Sequence, residues 1–97
     1  MNTSATHELV EVLRETRDLL ARATNEFVWS HWDSSADALR EFDALLEQIE
    51  SGDTTHRSEL ELLFAPTGSI QEVSISSGWG EEFLAVSERF DAAIKRV

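Results

Sequence analysis

The chain of 97 residues predicts an α+β fold: a single small domain of order α-α-β-β-α, with helices packed on one face of an antiparallel β-hairpin. Three observations predict it. Apolar residues recur at three- and four-residue steps in the first half and again near the end, the spacing of one helix face. Between residues 59 and 77 the period shortens to two, as in half-buried strands. The turn-forming run Pro66-Thr67-Gly68-Ser69 separates the two alternating segments. The length suits one domain over residues 1–97, with residues 1–6 expected to be a disordered start.

The first helix is expected over residues 6–25, where Leu9, Val12, Leu13, Thr16, Leu20 and Ala23 form one stripe that Phe27 extends. Glu11, Arg14, Asp18 and Arg22 cover its outer face at pairing distance. The aromatic stretch 27–32 reads as a connector that could supply a third strand. Ser34, three residues before Asp37, offers a helix cap, and Leu39, Phe42, Leu46 and Ile49 follow at helical steps, so a second helix is expected over 34–51. Gly52 stands where a left-handed C-terminal cap belongs.

Leu60, Leu62 and Phe64 alternate with Glu59, Glu61 and Leu63, and Val73 and Ile75 alternate with Glu72, Ser74 and Ser76. If Ala65 faces Ile70 across the turn, Leu62 falls opposite Val73 and Leu60 opposite Ile75, which buries one apolar face. Gly78-Trp79-Gly80 then breaks the strand. A third helix carries Phe83, Val86, Phe90, Ile94 and Val97, with Glu81 and Glu82 at its positive end and Lys95 and Arg96 at its negative end. A lone hairpin leaves two exposed edges and is marginally stable, which motivates a homodimer paired by those edges or by exposed aromatic surface.

Composition narrows the function. The chain is 41% hydrophobic, enough to build a core, and its 19 acidic residues outnumber 8 basic ones for a net charge of −11. That charge opposes binding to nucleic acid and to anionic membranes. There is no cysteine, residues 1–7 lack a basic and apolar leader, and no apolar run could span a bilayer, so a cytoplasmic location is expected.

No residue set spells out a reaction. His7 with Glu11, His31 with Asp33 and His56 with Glu59 are separate pairs, short of the three protein ligands a zinc or facial-triad site needs, so neither metal nor cofactor is expected. Ser74, Ser76 and Ser77 lie in no nucleophile elbow, and no catalytic residue is assigned. Glu81 and Glu82 would repel a phosphate at the Ser77-Gly78-Trp79-Gly80 turn.

Two features stand out. Asp37, Glu41, Asp43 and Glu47 line the polar face of the second helix, and Trp29, Trp32 and Trp79 all fall at segment junctions. Single-sign charge speeds association with an oppositely charged protein, and tryptophan is enriched in binding hot spots. The sequence therefore leads us to expect a non-catalytic interaction module of the immunity or inhibitor type, covering a basic protein partner with those seven residues. The alternative is a small-ligand binder or enzyme with a pocket between residues 27–33 and the Trp79 turn, in which His31 and Asp33 would carry the chemistry.

Overall fold

Leu60, Leu63 and Phe64 are spaced three and four apart, and so are Ile70, Val73 and Ser74; in the computed structural model these residues are buried, whereas Leu62 and Ile75, which alternation would bury with them, are exposed. Both segments are helices. The described residues are 3–97, with side chains described from residue 6 onward, and among them there is no strand. Five helices follow one another: α1 (Thr3–Leu20), α2 (Ser35–Glu50), α3 (Arg57–Phe64), α4 (Ser69–Ser77) and α5 (Gly80–Ile94). The expected disordered start lies partly outside the described residues; from Thr3 onward the backbone is helical.

The α+β expectation is therefore corrected to an all-helical fold, and the hairpin with its register is withdrawn. The sequence Glu59-Leu60-Glu61-Leu62-Leu63-Phe64 satisfies both periods, and over so few residues alternation alone cannot decide. What decides is burial: a strand would have buried Leu62 with Leu60, whereas Leu62 is 72% exposed beside a buried Leu60 and Leu63. Likewise Ile75, placed on the buried strand face, is 63% exposed while Val73 and Ser74 are inside. The stretch 27–32 forms turns and bends and supplies no strand. The hairpin edges that suggested a homodimer do not exist.

The two turns around α4 explain why the chain reverses where it does. Thr67 takes a positive φ of 64°. At Gly68 a Cβ would stand 2.6 Å from the Leu62 carbonyl oxygen and 2.9 Å from those of Ala65 and Leu63, so only glycine lets α4 start this close to the end of α3. At its other end α4 stops at Gly78, φ 84°, where the Trp79 N–H returns to the Ser74 carbonyl at 2.9 Å, a Schellman closure. Gly52, φ 87°, ends α2 in the same way, as its position in the sequence suggested.

Packing follows the helical stripes. α1 lies between α2 and α5, and α5 also packs against α3 and α4. Leu9, Val12, Leu13, Leu19 and Leu20 of α1 are buried with Phe42, Leu46 and Ile49 of α2 and Phe83, Val86 and Phe90 of α5. Phe64 stacks on Phe90 at 4.0 Å between ring centroids, with the planes 6° apart, and Phe42 approaches Phe64 at 6.4 Å, so one aromatic column joins α2, α3 and α5. The first helix ends at Leu20 rather than near residue 25, because Asn25 folds back and its amide donates to the carbonyls of Leu19 and Leu20 at 2.8 and 3.0 Å. Ala23, expected on the α1 stripe, is consequently an exposed turn residue.

Candidate functional site

The arginines decide the character of the surface. Each of the seven arginines meets a different carboxylate, and five of these pairs join segments far apart in the sequence. Arg14 engages Glu50, and Arg17 grips both oxygens of Asp43 at 2.7 and 3.3 Å, clamping α1 to α2. Arg89 reaches Glu15 at 2.6 Å and Arg96 reaches Glu8 at 3.0 Å, joining the C-terminal part of the chain to α1. Arg57 pairs with Glu61 and donates to the carbonyls of Ile94 and Val97 at 2.8 and 2.9 Å. Asp43 raises the Arg17 guanidinium above its ordinary value, first through the side-chain hydrogen bond and then through its charge. Pairs this exposed add little stability each. Their effect is on distribution: they occupy the arginines and leave the acidic excess uncompensated. Among the described residues, Glu26, Asp33, Glu47, Glu72, Glu81, Glu88 and Asp91 form no ion pair.

The seven residues expected to meet a partner are not one surface. Asp37 bonds Arg40 at 3.1 Å, Asp43 is held by Arg17, and Glu41 faces His31, so of the four α2 carboxylates Glu47 alone stands without a partner. Trp29 is 74% exposed and Val28 beside it 75%, an apolar pair on the connector. Trp32 and Trp79 are buried core residues. The indole N–H of Trp79 is satisfied by Asn25 at 2.8 Å, whereas the Trp32 indole nitrogen is buried without a hydrogen-bond partner.

His31 occupies an open groove of about 430 Å³ lined also by Glu41, Glu59, Leu62, Thr67 and Ser69. Its Nε2 lies 3.2 Å from Glu41 Oε1, its Nδ1 contacts the Ser69 hydroxyl, and its backbone N–H donates to Ser69 Oγ at 3.3 Å. In the neutral ring Nε2 carries the proton, since a carboxylate can only accept, and Nδ1 receives the serine hydroxyl. Asp33 is exposed and takes no part, and Trp29 and Trp79 do not line the groove. His7 and His56 each bond the glutamate expected from sequence, at 3.3 and 3.0 Å. Among the described residues no group of three or more metal-ligating side chains forms, and no helix is long and apolar enough to cross a membrane.

A second groove, of about 590 Å³, lies between α4 and α5 and is lined by Gln71, Ile75, Gly78, Gly80, Glu81, Glu82 and Leu84. Sequence reasoning misses it because alternation places Ile75 on a buried strand face; read with helical periodicity, Ile75 falls off the stripe of Ile70, Val73 and Ser74, and it is exposed. Compared with known proteins, the chain matches no family model, no curated protein and no solved structure.

Proposed function

We propose that this protein is a small interaction module, of the immunity or inhibitor type, that covers a basic protein and performs no catalysis of its own. One observation carries the reading. A net charge of −11 is spread over a surface on which every arginine is already engaged by a carboxylate, so the remaining acid faces outward. Such a field raises encounter rates with a positively charged partner and repels like-charged ones. The test is affinity capture from lysate of the source cell at stepwise rising salt, run in parallel with a variant in which Glu47, Glu72, Glu81 and Glu88 are glutamines. Proteins rich in lysine and arginine should be retained by the native chain, released by salt and absent from the variant. Retention that is equal for both baits and indifferent to salt contradicts the proposal.

A second reading, a small-ligand or enzymatic site, is favoured by the Glu41–His31–Ser69 hydrogen-bond chain, which orders a hydroxyl against an imidazole oriented by a carboxylate. The side chains of His31 and Glu41 are 52% and 43% exposed, so water reaches the imidazole–carboxylate contact freely, and the chain also serves to fasten the connector to the start of α4. Loss of a measurable activity in His31→Ala with retained partner binding would favour it. The homodimer is carried forward on Trp29, the exposed aromatic side chain, with Val28 beside it; light scattering showing a monomer up to hundreds of micromolar rules it out.

A further inference from the structure

We propose that the groove between α4 and α5 is where the basic partner docks, and that the occupant is an amphipathic helix of that partner, its apolar side chains on Ile75 and Leu84 and its lysines or arginines against Glu72, Glu81 and Glu88. The proposal rests on the acidic-module reading and adds its location.

Three observations converge. Ile75 and Leu84 are 63% and 59% exposed and line the same groove from two adjacent helices, which makes an apolar centre instead of two scattered side chains. Of the uncompensated carboxylates, Glu81 lines the groove, and helical spacing sets Glu72 and Glu88 near its two apolar residues. Glu81 and Glu88 lie one helical turn to either side of Leu84, and Glu72 one turn before Ile75. None of the three has a cation partner among the described residues, while Glu82 at the groove edge is already met by Arg22 at 3.4 Å.

The third observation is Gly80. Gly68 and Gly78 are fixed by close contact and by positive φ respectively, but Gly80 is neither: its φ is not in the left-handed region and a Cβ there would meet nothing within 4 Å. Nothing in the fold requires glycine at the first position of α5. It is one of the residues that line the groove, and without a side chain it takes up none of that space.

Charge chooses among occupants. A second copy of the chain would bring Glu72, Glu81 and Glu88 against a surface of the same net sign, whereas a lysine- or arginine-flanked apolar ridge completes both centre and rim. α4, nine residues long, runs for about two and a half turns at 3.6 residues per turn, long enough to accompany an incoming helix that presents apolar side chains three and four apart.

The experiment uses the full chain, isotope-labelled for amide chemical-shift mapping, and three short peptides: an amphipathic helix of leucine and lysine, its alanine/lysine counterpart of equal charge, and its leucine/glutamate counterpart. The leucine/lysine peptide should shift the amides of Ile75, Gly78, Gly80 and Leu84 at low salt. Gly80→Phe, which adds a ring to the groove lining, and Ile75→Ser, which removes the apolar contact, should each weaken it by about tenfold or more, with the remaining amide spectrum unchanged as the check on folding. The alanine/lysine peptide should bind weakly and without regard to either variant. Shifts centred on Glu47 of α2 would overturn the groove and leave the acidic reading standing. No binding of either lysine peptide would overturn both. Equal binding of the leucine/glutamate peptide, or the same amides shifting on dilution of the protein alone, would overturn the proposed occupant.

Discussion

Trp79 donates its indole N–H to the side-chain oxygen of Asn25 across 2.8 Å, from a position only 1% exposed. The same amide donates through its nitrogen to the carbonyls that close α1. One asparagine thus ends the first helix and satisfies a buried donor on the turn into the last. Two serines hold the chain that leaves it: Ser77 accepts from the Glu26 N–H at 2.9 Å and Ser69 from the His31 N–H, so the connector lies along α4 from one end to the other.

Asn25→Ala removes the acceptor and leaves the Trp79 donor buried and unpaired. We expect a loss of about 1–3 kcal/mol in chemical denaturation, the usual cost of an orphaned buried polar group. The double variant with Trp79→Phe should lose less than the sum of the two single changes, since each then removes the same bond.

The two neighbouring leucines of α3 should respond in opposite ways. Leu60→Ala, at a position 1% exposed, is expected to cost about 2–5 kcal/mol. Leu62→Ala, 72% exposed, should stay within about 0.5 kcal/mol of the native chain. A loss at Leu62 as large as that at Leu60 in denaturation midpoints would restore the strand.

Two glycines separate backbone need from open space. Gly68→Ala pushes a Cβ against three carbonyl oxygens and should destabilise by more than about 1 kcal/mol. Gly80→Ala meets no neighbour and should be neutral or stabilise by up to about 1 kcal/mol, because alanine loses less conformational freedom in a helix. Thermal melts of the two variants check the contrast.

The longer helices were legible because their stripes run for several turns. Leu9 to Leu20 and Phe83 to Ile94 repeat often enough to exclude any other period, and Ser34 and Gly52 mark the ends of α2. The nine residues of α4 are not legible in this way. Ser69-Ile70-Gln71-Glu72-Val73-Ser74-Ile75-Ser76-Ser77 is rich in β-branched and small polar residues, and its local preference favours a strand. It is helical because Ile70 and Val73 bury their side chains, at 0% exposure, while α4 packs on α3 and α5. Tertiary packing overrode propensity there, and the misreading carried Ile75 from the surface into an imagined core. The acidic excess was plain from composition. That Asp43 is committed to Arg17 and Glu72, Glu81 and Glu88 are not depends on distances between helices, which no spacing along the chain reveals.

The central claim is that outward acid drives recognition of a basic protein, and association kinetics with the captured partner across a range of salt test it most directly. Raising ionic strength from 0.1 to 1 M shortens the Debye length from roughly 10 to 3 Å. We expect the association rate to fall steeply over that range while dissociation changes little, and the Glu47/Glu72/Glu81/Glu88 glutamine variant to start slow and respond weakly to salt. An association rate that is flat across the range, or equal for the native chain and the variant, would contradict the account.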